Sequence, residues 1–568
     1  MKKLFISAIA AMAMLSTYAQ ETIHYPKYEV RAVWLETVDN LDWPKSSSVD
    51  DQKKELCDIL DKLAAANFNT VLFQAQARGD VAWKSYIQPA MYEFSKSYSS
   101  GLPYGFDVCK YVIDECHKRH MECHATIIPY RLGPKWRGNS YRQTGKHPYQ
   151  SHPELCVTYN NQLYLDPGNP ATTEYLVNLY HELLQNYNFD GVSFDYCRYP
   201  GNDFDDAASY KKYNPDKLAK ADWRRQNINN FIAEFYKMVQ EVNPNVKVGA
   251  APIGTYKNLP GYGNATAYGS YFQDACQWVK DGNCHTLFPQ MYWNETYGFT
   301  PNMGTWVNNM DGRQFVVGLA PYKMTDGTNN WEPDVITDQI TKVRNQEGAY
   351  GVCFFRTMNI LEGQGDKETR LYNELKNTYF KYPAHIPPME YKVVTTPNAP
   401  SDLQFVLDNG VYMLKWNWSE PDALDTPIKY YCIYRIQNGI IDLDDITSVI
   451  EAKYDYDNIL IPAITDHDAF AVTAFDYNNY ESNPVTASVN EINEDADVVV
   501  FKSGNTLTIT SGKNLKAVDI IDTTGKLALS ETINADKANI DCSSLAKGVY
   551  IVKISLENNS TVVKKIIR

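Results

Sequence analysis

Asp190-Gly191-Val192-Ser193-Phe194-Asp195-Tyr196 is the stretch from which the fold follows. On an extended strand, successive side chains point to opposite faces. Val192 and Phe194 therefore share one face, and Ser193 and Asp195 share the other. The apolar pair needs cover, which an amphipathic helix supplies. Asp195 then points inward at the strand's C-terminal end. A buried, unpaired carboxylate is costly, so it needs a partner or a task. A covered strand with an inward acid at its C-terminal end fits the repeating unit of a (β/α)8 barrel.

The same pattern recurs on both sides of this strand. Short runs rich in β-branched and aromatic residues lie at 31–37, 70–76, 122–129, 191–198, 247–254, 286–293, 315–322 and 351–357. Amphipathic stretches separate them at 51–66, 107–119, 172–186, 225–242, 270–280, 335–346 and 367–380, with a weaker one at 300–311. Eight strands, each followed by a helix, predict an α/β fold with a (β/α)8 TIM barrel over residues 29–381. An open doubly wound sheet would place a Gly-x-Gly-x-x-Gly turn after the first strand, and none is there. Two long connections, 130–165 and 199–224, follow strands and so belong to the C-terminal face, where loops build substrate clefts.

Beyond the barrel the pattern changes to two small all-β sandwich domains. Pro387, Pro388, Pro397 and Pro400 mark a linker over 382–400. Strands at 411–418, 430–435 and 469–475 predict a first module over 401–493. Its Trp416 and the string AVTAFDYNNYES (471–482) resemble a fibronectin type III module. Strands at 506–510, 515–522, 527–533, 549–556 and 561–568 predict a second module over 494–568. Its strings DIIDTTGK (519–526), LAKGVYIVK (545–553) and KKIIR (564–568) resemble the C-terminal sorting domain of type IX secretion substrates. The usual Pro-Asn-Pro opening is absent from it, and an accessory β-sandwich is the alternative.

Composition narrows the function. With 44% apolar and 21% charged residues in 568, wholesale disorder is excluded. A net charge of −14 disfavours phosphate backbones and anionic membrane surfaces as partners. The 42 tyrosines suit a polar, ring-shaped ligand, or else half-buried strand positions. Lys2 and Lys3, the apolar run 4–15 and Thr17-Tyr18-Ala19 predict a signal peptide over 1–19, hence a secreted or cell-surface protein routed via the periplasm. The first cysteine is Cys57, so no lipid anchor is expected at the cleavage site. No later apolar stretch reaches 18 residues, and no membrane span is expected. The 11 cysteines lack metal spacing. Cys109 and Cys116 read as a buried helix face, and Cys276 and Cys284 are the closest pair after the Cys109-Cys116-Cys123 trio. No His/Asp/Glu cluster has ligand spacing either, so no catalytic metal and no cofactor are expected.

An ordered series of strings across the barrel resembles the glycosyl-hydrolase-like 10 family. They are EVRAVWLETV (29–38), LDWP (41–44), NFNTVLFQ (67–74), HATIIPYR (124–131), LDPGNP (165–170), residues 190–196, RYP (198–200) and PQMYW (289–293). The resemblance implies a (β/α)8 fold, a secreted or lipid-anchored setting and glycoside hydrolysis; some relatives act on peptidoglycan strands stripped of their peptides. Many relatives carry two consecutive Asp where this chain has Asp195 and Tyr196. Glu36 stands where relatives commonly have a small or hydroxyl residue. A two-Asp arrangement is therefore not carried over.

Glycoside hydrolysis takes two carboxyl groups flanking the scissile bond. In a barrel both come from the C-terminal ends of strands. Asp195 is the first, with a structural ion pair to Arg198 or Arg131 as its alternative reading. Glu295, just past the sixth strand, is the expected second; Glu36 and Asp80 compete with it, and a solvated loop acid is its plain alternative. Asp166 reads as a turn or capping acid. The expected sugar contacts are Glu36, Trp43, Gln74, Arg78, His124, Tyr130, Arg131, Tyr196, Arg198, Tyr199, Gln290, Tyr292, Trp293 and Tyr322. His124 also fits a packed interior position. The sequence thus predicts a secreted glycoside hydrolase cleaving a cell-wall or extracellular polysaccharide, peptide-free peptidoglycan strands included. A glycan-binding protein without catalysis is the alternative. A phosphosugar isomerase or aldolase would show a Gly-rich phosphate loop after strands 7 or 8, and neither 323–327 nor 357–359 resembles one.

Overall fold

The computed structural model describes residues 25–392, 396–408, 411–418, 427–436, 440–454, 458–460, 469–488, 498–523, 526–558 and 560–568. The expected signal at 1–19, the module boundary at 493 and part of the linker lie outside the described residues. Eight parallel strands close into a barrel in chain order. They are β1 (Val30–Leu35), β2 (Thr70–Gln76), β3 (Glu122–Ile127), β4 (Gly191–Phe194), β5 (Lys247–Ala250), β6 (Thr286–Leu287), β7 (Gln314–Leu319) and β8 (Ala349–Phe354). One helix of the outer ring follows each: α1 (Val49–Ala65), α2 (Val108–His117), α3 (Pro170–Asn186), α4 (Lys220–Val242), α5 (Ala275–Lys280), α6 (Phe299–Val307), α7 (Pro333–Arg344) and α8 (Asp366–Glu374). Ser48 and Asp107 cap α1 and α2 by accepting from backbone N–H groups, and Asn169 caps α3 with Pro170 at its first position.

The alternation read from the sequence is the one that packs. Val33 and Leu35 of β1 and Val192 and Phe194 of β4 join the layer between strands and helices. Ala32, Trp34, Leu72, Ala251, Phe288, Val316 and Cys353 fill the barrel's interior. Trp34 meets Phe288 and Phe355 edge-on, with centroids 6.3 Å and 5.9 Å apart. Each such side chain removed from water contributes about 1.5–3 kcal/mol.

Several strands end earlier than expected, always on the mouth side. β4 stops at Phe194 because Tyr196 turns into the left-handed region, at φ 49°. β6 has only two residues. Pro289 has no N–H to continue the ladder, and only Gln290 bridges onward, to Ile253 and Gly318. The chain thereby leaves the sheet where side chains must aim into the mouth. The 130–165 connection adds a three-stranded antiparallel sheet of Arg131–Pro134, Gln162–Leu165 and Cys156–Tyr159. None of the eleven cysteines is disulfide-bonded.

The stretch expected as a linker is packed under the barrel. His385 exchanges backbone hydrogen bonds with Lys27 and Glu29, Gln314 Nε2 donates to Pro387 O at 2.8 Å, and Ile386 closes the interior from below. A three-stranded sheet (Ser401–Asp408, Val411–Asn417, Asn458–Leu460) then faces a four-stranded one (Val449–Tyr454, Ile428–Ile436, Ala469–Asp476, Val485–Ser488). Buried Trp416 lies in their shared core. The last sheet contains Val498–Ser503, Thr506–Asp522, Leu527–Asp541, Val549–Leu556 and Thr561–Ile567. Two strands expected at 506–510 and 515–522 are one bent strand here, with register shifts between Thr510 and Ala517. Ile441–Asp442, from the preceding module, pairs in parallel with Val498–Ser503, so the two modules share a sheet.

Candidate active site

The mouth is built from strand ends. On β1 the inward parity of Ala32 and Trp34 passes to Glu36; on β4 that of Ser193 passes to Asp195. Both carboxyls are buried, at 4% and 8% exposure. The Asp195 N–H donates to Ile127 O at 3.0 Å, so the sheet still holds its backbone. Asp195 Oδ1 accepts from the Tyr196 N–H at 2.7 Å and from Gln290 Nε2 at 2.8 Å. Both bonds fall on Oδ1.

Glu36 is oriented by a second glutamine. Gln74 Nε2 donates to Glu36 Oε2, while Gln74 Oε1 accepts from the N–H groups of Thr37 and Val38 at 3.2 Å and 2.8 Å. The Glu36 N–H donates to Asp42 Oδ2 at 2.9 Å. Asp42 Oδ1 in turn pairs with Arg356 Nη1 at 2.5 Å and accepts from the Met358 N–H at 3.1 Å. Residues from β1, β2 and the end of β8 thus fix one carboxyl.

The two acids sit in unequal fields. Burial, then the charges of Asp195 and Asp42, hold the Glu36 carboxyl well above the usual range, against a weaker opposing pull from Arg356. Burial also raises Asp195, and Arg198, the Tyr196 N–H, Gln290 and Arg131 oppose that rise without reversing it. Both carboxyls thus hold their protons more tightly than they would in water, and each charge, once formed, opposes the other.

Tyr292, Tyr322 and Phe355 make an aromatic wall beside them. Tyr292 lies 6.0 Å from Tyr322 and 5.7 Å from Phe355, centroid to centroid. The Tyr292 hydroxyl is buried with no hydrogen-bond partner among the described residues. Burial raises its pKa, and the charges of Asp195 and Glu36 are among the groups that add to this. Arg131 and Arg198 stand over the Tyr196 ring, at 5.3 Å and 4.3 Å, and both act on the Asp195 charge.

Several expected contacts lie elsewhere. Glu295 is on the outer surface, its carboxylate bonded to Thr300 and 3.1 Å from Lys342 of α7; those bonds outweigh partial burial and keep it below the usual range. It lies away from Asp195, whereas Glu36 is near enough for the Asp195 charge to act on it. Trp43 is fully buried, donates Nε1–H to Gln52 O at 2.7 Å and packs edge-on against Phe94, so it holds α1 to the barrel. Tyr130 and Tyr199 point outward into the helix layer, against Phe231 and Phe272. His124 faces the lower interior and meets Glu122 at 2.8 Å. Arg78 is on the rim but taken by Asp39, at 2.7 Å. Trp293 is half-buried over Gly254, where a Cβ would approach its ring within 2.6 Å. Asp80 is bound by Arg137 and Tyr141, at 2.9 Å and 2.6 Å, and is structural. Asp166 holds its turn by accepting from the Gly168 N–H at 2.9 Å. Asp42, Phe355 and Arg356 were not among the expected residues. Asp42 was visible in LDWP, and Arg356 lies at the C-terminal end of the eighth strand, where barrel chemistry collects.

A (β/α)8 barrel with two buried, unequal carboxyls at its mouth is a glycosidase-type arrangement. The chain belongs to the glycosyl hydrolase-like 10 family, which matches residues 29–329. A second match, to a domain of unknown function (DUF8694), covers residues 487–568. The glycosyl hydrolase YngK of Bacillus subtilis is 28% identical over 430 residues, 72% of this chain and 83% of that one. The glycosyl hydrolase DigH of Escherichia coli is 32% identical over 289 residues, 46% of this chain and 65% of that one. Among solved structures, the glycoside hydrolase domain of PgaB from Bordetella bronchiseptica covers 58% of this chain and 94% of its own, at 14% identity and a TM-score of 0.41.

Proposed function

We propose that the protein is a secreted glycoside hydrolase of a cell-wall or extracellular polysaccharide, with Glu36 as general acid and Asp195 as nucleophile or base. One observation carries this reading: Glu36 and Asp195 project from the ends of β1 and β4 into one mouth, and the charge of Asp195 helps Glu36 keep its proton. Glu36 would protonate the departing glycosidic oxygen. Asp195 would attack the anomeric carbon or take a proton from water. The names of the relatives support the reaction class. Peptide-free peptidoglycan strands are the first substrate to try, on the strength of the family resemblance. Incubation with them and with a panel of polysaccharides, read as new reducing ends, tests the proposal. New ends with the parent protein and none with Asp195→Asn are expected. Binding without new ends would favour the non-catalytic glycan-binding reading.

Secretion is part of the same proposal. The signal-like residues 1–19, the fibronectin-like strings and the sorting-like strings support export through the periplasm to the surface, with the secretion machinery as partner. Deleting the region after residue 493 and following the protein's location tests it; unchanged surface display would remove the sorting role.

A further inference from the structure

Arg198 is 8% exposed, and its Nη1 is buried with no hydrogen-bond partner among the described residues. Arg31 Nη2 and Arg137 Nε are also without a hydrogen-bond partner among the described residues, but the other deeply buried arginines each carry an ion pair. Arg31 pairs with Glu29 at 2.7 Å, Arg137 with Asp80 at 2.9 Å and Glu93 at 2.8 Å, and Arg224 with Asp206 at 2.7 Å. Removing a guanidinium from water without an acceptor is costly, which is why buried cations are normally paired. Arg198 is held instead by ring faces, 4.3 Å from the centroid of Tyr196 and 5.4 Å from that of Tyr271. Arg131 stands over the same Tyr196 ring at 5.3 Å, and its Nε is likewise buried without a partner among the described residues. Both cations are close enough to Asp195 to favour its ionised form, yet neither forms an ion pair with it among the described residues. Two guanidinium groups thus stand beside the reacting carboxylate with donors to spare.

We propose that Arg198 and Arg131 form an anion subsite for a carboxylate or sulfate-ester substituent on the sugar bound beside Asp195. This rests on the carbohydrate reading of the mouth. A guanidinium presents parallel N–H donors that match two oxygens of a carboxylate or of a sulfate group. Stacking on Tyr196 fixes the direction of both forks before the ligand arrives, so little side-chain freedom is lost on binding. The competing role, in which Arg198 only keeps Asp195 ionised, predicts equal effects on charged and neutral sugars.

Two matched pairs of glycans separate these roles. The first is a peptide-free peptidoglycan strand with free lactyl carboxylates, against the same strand capped as methylamides. The second is a κ-carrageenan oligosaccharide against its desulfated form. Binding to the full-length protein is measured by calorimetry, and turnover is measured where it occurs. The anionic member of one pair should bind about 10- to 100-fold more tightly, and which pair does so identifies carboxylate or sulfate. Arg198→Gln and Arg131→Gln should each bring the two members within about threefold of one another; Arg198→Lys should keep part of the preference. Equal affinity of the parent for both members of both pairs, or no binding of either pair, would overturn the subsite. So would variants that weaken charged and neutral members alike. If the preference is present but no glycan is cleaved, the hydrolase reading falls and the subsite stands.

Discussion

Lys429, in the module after the barrel, donates to Glu122 at the N-terminal end of β3, 307 residues away in the chain. Lys247 shares that carboxylate at 2.6 Å, and Asp190 lies 3.3 Å from Lys429. All four are buried. Burial alone would lower the Lys429 amine, but Glu122 and Asp190 overturn that and hold it above its ordinary value. The barrel's floor is therefore finished by a residue outside the barrel. Lys429→Met should destabilise the full chain by about 3 kcal/mol or more, because two buried carboxylates lose a cation. A chain ending at residue 383 loses the same contact and should be at least as unstable. Denaturant midpoints compare the three; a Lys429→Met protein matching the parent would show that Lys247, His124 and His117 balance the two carboxylates without it.

The Glu36 carboxyl binds its proton more tightly in the folded chain than in the unfolded one. Its contribution to stability is then complete below the unfolded pKa and is lost as pH rises through the folded value. Glu36→Gln removes that loss. The variant should melt higher than the parent at pH 7 to 8, with the gain vanishing near pH 4, while turnover disappears. Melting curves across this range check the sign; a lower melting temperature at neutral pH would mean that Glu36 is ionised in the fold.

Asp195→Asn keeps the shape of the side chain and removes its ability to attack or to carry a proton. Turnover should fall by a factor on the order of 10² or more in a protein that remains folded. Glu295→Gln should behave oppositely. Its carboxylate is exposed and faces Lys342, so stability should move by less than about 1 kcal/mol and turnover should stay near the parent's. Measuring both variants on one substrate decides which acid belongs to the site.

Tyr292→Phe removes a buried hydroxyl that has no partner among the described residues. Deleting an unsatisfied polar atom should leave stability unchanged or raise it by up to about 1 kcal/mol. If that hydroxyl meets the sugar between the two carboxyls, turnover should drop on the order of 10-fold or more. Calorimetric melting and initial rates on the same preparation test both halves.

Trp43→Ala should act through the core. The ring is fully buried and edge-on to Phe94 at 5.2 Å. Its loss leaves a cavity costing about 3–5 kcal/mol. Affinity for glycan should be retained in the fraction that folds; a selective loss of binding would return Trp43 to the cleft.

The barrel and the inward aim of Asp195 were legible in the sequence. Strand and helix periodicities are local, and parity along Val192, Ser193, Phe194 and Asp195 follows from the pleat alone. Which other acid stands near Asp195 was not. Glu36 and Glu295 both follow barrel strands, and which one enters the mouth depends on how the chain leaves β1 and β6 once the barrel has closed. Pro289 ends the β6 ladder early, and Thr300 and Lys342 draw Glu295 outward, whereas Gln74 and Asp42 pin the end of β1 inward. Trp43 and Tyr199 have the chemistry of sugar platforms and equally that of core residues, and only packing distinguishes the two. The pairing of Lys429 with Glu122 joins residues 307 positions apart, beyond any periodic pattern. Local chemistry thus determined the elements and their faces. Long-range closure decided which side chains meet, because a contact between distant residues exists only after the intervening chain has found its place.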